Sequence, residues 1–167
     1  MRDTVIFAML GTIMFISKII MEILPNIHLL GMLTMAYTVS FGVKALIPIY
    51  VYVMLNGIYS GFSFWWLPYT YIWTILFLLT LLIPRRAPKP LRLALYPTVC
   101  AIHGFAYGTL YAPAQALMFG LDLDGMIAWI IAGIPFDVIH GISNFIMGLL
   151  VFPTSELLKK LYSKKYA

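Results

Sequence analysis

The chain has 167 residues, 62% hydrophobic and 10% charged, with a mean hydropathy of +0.94 and a formal net charge of +5. That composition leaves too little polar surface to cover a soluble globule, so the expectation is an all-α, polytopic membrane protein forming one integral domain over 1–167. The single cysteine, Cys100, lies in an apolar stretch and excludes both a disulfide framework and a CxxC site. The basic balance needs no nucleic-acid partner, because cytoplasmic loops of membrane proteins are basic for reasons of insertion and anionic lipid.

A bilayer core about 30 Å thick takes about 20 helical residues per span. The first candidate is Thr4–Leu24; its 21 residues exceed a typical signal-peptide core and no small-x-small cleavage pattern follows, so it is expected to be a retained helix. Near its outer end Lys18 and Glu22 are spaced i, i+4, as a neutralising pair whose ends snorkel or as ligand contacts, with Asn26 and His28 just beyond. Ile27–Gly42 and Ala45–Tyr59 come next. Read as one segment, Ile27–Tyr59 would be 33 residues, about 50 Å of helix, with Lys44 and Pro48 near its centre; a hairpin is expected instead.

The fourth span, Phe64–Ile83, opens on the rim FSFWWLPYTYIW. Its Trp65, Trp66, Tyr69, Tyr71 and Trp73 read as an interfacial belt more readily than as a stacking wall for a ring-shaped ligand. The basic run PRRAPKPLR at 84–92 separates it from Leu93–Met118, which places His103, Tyr107 and Tyr111 on one stripe at i, i+4, i+8. Beside that stripe Gly104, Gly108 and Ala112 form a small-xxx-small series for close helix approach. After GLDLDG at 120–125, the last span Gly125–Phe152 carries Asp137, His140 and Asn144 at i, i+3, i+7, again on one face.

Orientation follows from the lysines and arginines. With six spans and a cytoplasmic N-terminus, Arg2, Lys44, Arg85, Arg86, Lys89, Arg92, Lys159, Lys160, Lys164 and Lys165 all fall inside, ten of the eleven positive residues, and both termini are cytoplasmic in a multi-pass cell-membrane protein. Five spans with the N-terminus outside would also satisfy the charge rule, and the length argument selects six.

A central acid costs about 2.5–3.5 kcal/mol on insertion scales, and structural glue is available from Ser or Thr at lower cost, so the polar stripes favour a functional site over simple helix glue. Asp137, His140 and His103 are candidate metal ligands, but their spacing demands no ion, and neither metal nor cofactor is expected. Walker A, HExxH and GxSxG patterns are absent, so an enzyme is not expected and any ATP use belongs to a partner. Two alternatives are a membrane enzyme using Asp137 and His140 as acid and base on a lipid, and an assembly subunit whose stripes meet another chain.

Six short helices, a basic loop after the fourth and a last helix reading IPFDVIHGISNFIMGLLVFP together resemble the substrate-binding S component of energy-coupling factor (ECF) vitamin transporters. The resemblance covers nearly the whole chain, and its most specific piece is Pro135, Phe136, Asp137 and His140. It implies that Asp137 and His140 contact a vitamin or related micronutrient, with Asn144 one turn deeper, and that Leu24–Leu30 closes over the guest. It also implies an ECF module as partner, comprising a transmembrane coupling protein and two ATPase subunits. Docking there is expected through a small-xxx-small motif on the first helix, here Ala8 to Thr12 with Gly11 alongside.

The expected substrate-binding set is thus Asp137, His140, Asn144, His103, Tyr107, Lys18, Glu22 and Asn26. Its one permanent cation is Lys18 and no arginine reaches the outer half, which disfavours a carboxylate held by an arginine clamp and points to an aromatic or nitrogen-rich vitamin.

Overall fold

The computed structural model describes residues 2–84 and 86–163; Arg85, Lys164, Lys165 and the Arg2 side chain, which enter the charge argument, lie outside that description. The described residues form helices and connections without a strand. Four segments are long and apolar enough to cross a membrane: Asp3–Ile23, Leu30–Ser60, Phe64–Leu82 and Leu123–Gly148.

Helix α1 (Arg2–Ile20) continues through a single 3-10 turn, Met21–Ile23, into the connection before α2 (Leu30–Phe41). The chain then reverses at Gly42–Ala45 into α3 (Leu46–Ser60). Gly42 makes the reversal possible at φ 60° and ψ −133°, a region closed to side chains with a Cβ. Register along α1 shows the change of direction. Leu10 accepts a hydrogen bond from Tyr37 on α2 and Phe7 packs on Phe41, so α2 runs antiparallel to α1. Asp3 pairs with Lys44 and Phe15 packs on Tyr59, so α3 runs parallel to it. The expected split of 27–59 is therefore present, but α2 and α3 diverge from the turn: α2 packs mainly on α4 (Tyr69–Leu82) and α8 (Val151–Ser163), and α3 on α1.

Several boundaries differ from the sequence reading. Pro68, which has no N–H to donate, precedes α4, so the fourth helix starts five residues later than Phe64, after a 3-10 turn at Phe64–Trp66. The fifth segment starts earlier, at Lys89, and is divided at Ala106 into α5 (Lys89–Phe105) and α6 (Tyr107–Phe119). The sixth, α7 (Leu123–Gly148), is capped by Asp122, whose side chain accepts the Gly125 N–H at 2.8 Å, and it ends short of Phe152, which belongs to a separate helix, α8.

Small residues seat α5 and α6 on α7. Gly148 lies on Pro97, Gly104 on Gly141 and Gly108 on Asp137, an antiparallel seam in which a Cβ on Gly104 would come within 2.8 Å of the Gly141 Cα. The opposite face of α7 is apolar and open, with Ile127, Ile131, Ile134, Ile139, Ile142 and Ile146 exposed, as suits a helix bordering lipid.

One end of the bundle gathers basic residues from distant parts of the chain. Lys44 pairs with Asp3, which also accepts from the Tyr162 hydroxyl on α8, while Lys89 and Arg92 lie over the Phe152 ring at 5.4 and 5.2 Å. Lys159 and Lys160 stand on the same α8. The opposite end is formed by the connections at 24–29, 61–68 and 120–122.

Candidate functional site

The two polar stripes of the sequence converge. Tyr107 on α6 and His140 on α7 bring their ring centroids to 4.6 Å, and Asp137, one turn before His140, meets the backbone of Gly108. Both Asp137 oxygens accept the Gly108 N–H, at 2.9 and 3.2 Å. In an uninterrupted helix that N–H would bond the carbonyl of Gly104, four residues back. Asp137 takes it instead, so the carboxylate sits at the N-terminus of α6 as a cap supplied by another helix, and the α5–α6 rod breaks one residue earlier, at Ala106.

Next to this contact is a pocket of about 260 Å³ lined by Asn26, Tyr107, Gly108, Tyr111, Trp129, Gly133, Phe136, Asp137 and His140. Tyr111 and Trp129 stack at 5.9 Å with planes 21° apart, forming an aromatic wall between α6 and α7. Asn26 reaches the pocket from the connection between α1 and α2, where its φ of 61° places it in the left-handed region that Asn tolerates better than most residues.

A polar and aromatic layer lies behind Tyr107 and His140. Its centre is Trp73, which is 1% exposed and packs within 6.3 Å of the rings of His28, Tyr52, Tyr69, His103 and Tyr107. His103 Nε2 lies 3.1 Å from the Ile72 carbonyl, and His28 meets His140 edge-on at 4.6 Å. Several buried polar atoms of this layer have no protein partner among the described residues: Nδ1 of His28 and His103, Nε2 of His140, Nε1 of Trp73, the Tyr52 hydroxyl and the Asn56 amide. A buried polar group without a partner costs about 1–3 kcal/mol, so such a concentration belongs to a place where a polar guest or water completes the bonding. Among the described residues, no group of three or more His, Cys, Asp or Glu side chains is arranged to hold a metal ion.

The remaining expected site residues fall elsewhere. Asn144 is fully buried one turn below His140, facing Gly31 and Gly104, and does not line the pocket. Lys18 and Glu22 pair with each other at 2.9 Å and are likewise outside it. On α1, Ala8 and Thr12 lie on the exposed face, joined by a Thr12 hydroxyl to Ala8 carbonyl bond, whereas Gly11 is turned inward against Val51 and Pro48 of α3.

The aromatic rim also divides. Trp66 Nε1 donates to the Val53 carbonyl, and the Tyr71 and Tyr111 hydroxyls donate to the carbonyls of Leu110 and Trp65, so these residues tie the 61–68 connection and α4 to their neighbours. Trp73, by contrast with a belt residue, is central. The pocket contributions of Trp129 and Phe136, and the inner layer of Trp73, Tyr52, Asn56 and His28, are absent from the sequence-based set. Trp73 and Asn56, polar-edged side chains within spans, were the available signal. Comparison of the chain with protein-family models, with curated proteins and with solved structures gives no match.

Proposed function

We propose that this chain is a substrate-binding S subunit of an ECF-type transporter, which captures a vitamin or related micronutrient outside the cell and delivers it inward together with a coupling protein and two ATPase subunits. In this reading the chain spans the cell membrane six times and both termini are cytoplasmic, with the basic end inside. The observation that carries the proposal is the pocket at Asp137 and His140, bordered by Asn26 from the connection between α1 and α2, within an otherwise apolar bundle. An aromatic lining with a few convergent polar groups is the usual make-up of a small-molecule site, the apolar area supplying affinity and the polar atoms orientation. Capture without chemistry also agrees with the absence of nucleotide-binding motifs from the sequence.

The test is native mass spectrometry of the detergent-purified chain, followed by calorimetry with whatever small molecule is released. A retained small molecule whose binding is lost in His140→Ala supports the reading. Protein that carries no small molecule and instead holds a stoichiometric partner other than a coupling protein with its ATPase subunits overturns it in favour of an assembly subunit.

A further inference from the structure

The charge balance of the pocket narrows what it takes. Both Asp137 oxygens accept from one N–H, and Asp137 forms no ion pair among the described residues. No lysine or arginine lines the pocket, and Lys18, the cation nearest in sequence to Asn26, is engaged by Glu22 at 2.9 Å. A carboxylate only 9% exposed, with a single hydrogen-bond donor, is under-compensated, because a buried charge is costly unless paired and bonded on several sides. The α6 N-terminus supplies part of the compensation.

Much of the remaining lining is aromatic, with Tyr107, Tyr111, Trp129 and Phe136 alongside Asn26 and two glycines. Tyr107, Tyr111 and Trp129 surround the space beside the carboxylate, and ring faces attract cations through their quadrupoles. His140 adds a ring nitrogen, Nε2, that is buried and without a protein partner, in a residue 3% exposed that lines the same pocket. An anionic guest would find no positive group there, and a purely apolar one would leave the carboxylate and the imidazole unpaired. The volume of about 260 Å³ suits a guest of one or two rings.

We infer that the pocket selects a cationic, nitrogen-containing aromatic ring, with its positive edge on Asp137, its face against Tyr107, Tyr111 and Trp129, and one polar substituent on His140. The inference rests on the small-molecule site of the preceding section and defines its ligand class.

Three pyridines of nearly equal shape separate the possibilities: N-methylpyridinium-3-carboxamide, pyridine-3-carboxamide and pyridine-3-carboxylate, titrated calorimetrically at millimolar concentration into the full chain in nanodiscs. The cation is expected to bind at least about tenfold more tightly than the neutral amide, and the carboxylate not at all. Asp137→Asn, which still offers an oxygen to the Gly108 N–H, is expected to shrink the difference between cation and amide several-fold, and an undiminished difference overturns the role of Asp137. Trp129→Leu is expected to weaken the cation most. If the amide or the carboxylate binds as well as the cation, the charge selection is overturned while a small-molecule pocket stands. If none of the three binds, the pocket reading itself fails, and the selection with it.

Discussion

Asp137 hydrogen-bonds the backbone N–H of Gly108, 29 positions away, and by doing so sets where the α5–α6 rod breaks. One side chain thus joins helix geometry to pocket chemistry: the same carboxylate that caps α6 lines the cavity. A Cβ on Gly108 would displace that carboxylate from the N–H it accepts.

Asp137→Ala removes both roles, and Asp137→Asn removes mainly the charge. The alanine variant is expected to lose about 1–2 kcal/mol of stability through the uncapped α6, seen as a lower unfolding temperature in detergent, whereas the asparagine variant should unfold close to the parent. Equal unfolding temperatures for the parent and the alanine variant would remove the capping role. His140→Ala, with no bond to the backbone of α6, is expected to abolish ligand binding in calorimetry while the protein still inserts.

Gly11 and Ala8 separate packing from surface. A Cβ at Gly11 would stand 2.6 Å from Val51 and 2.7 Å from the Pro48 carbonyl, so Gly11→Leu must part α1 from α3 and is expected to cost about 1–3 kcal/mol. Ala8→Leu, on the exposed face, should leave the fold and ligand affinity unchanged and reduce uptake in cells that also contain an ECF module. Thermal unfolding and radiolabelled uptake read the two effects separately. Normal uptake by the Ala8 variant would move the coupling face elsewhere.

Asn26 is held at positive φ while it borders the pocket. Asn26→Val places a β-branched side chain in the left-handed region and is expected to cost about 1–2 kcal/mol and to weaken binding. Asn26→Gly should restore the backbone but not the side-chain contact, so it should fold like the parent and bind less tightly. A valine variant indistinguishable from the parent in both assays would show that neither the conformation nor the amide matters.

The stripes His103, Tyr107, Tyr111 and Asp137, His140, Asn144 were legible because helical periodicity alone puts residues three and four apart on one face. Their meeting was foreshadowed by the small-residue series at Gly104, Gly108 and Ala112, and Ala112 is buried as that series requires. The break at Ala106 was not legible, because its cause is a side chain on another helix rather than a proline nearby. Trp73 reads locally like its neighbours Trp65 and Trp66; only the depth reached by α4 and the rings arriving from α3, α5 and α6 distinguish it. The helix α8 escaped the reading because its lysines resemble a basic tail, whereas Ser155 and Val151 are buried and the Ser40 hydroxyl bonds the Ser155 carbonyl.

The orientation is open to a direct chemical check, because Cys100 is buried and gives a quiet background. Asp124→Cys at the start of α7 is expected to react with a membrane-impermeant maleimide on intact cells, and Lys160→Cys on α8 only after lysis. The reverse pattern would place the basic end outside.

The glycine seam between α5–α6 and α7 has a mechanical corollary. Backbones in such close contact cannot slide or part without losing many contacts together, so this pair acts as a stiff slab that holds the aromatic wall at fixed spacing. Any widening of the doorway must then fall to the facing side, where the six-residue link 24–29 meets the slab. In the proposed transporter reading, loading and unloading would then be motions of that flap against a stationary jamb.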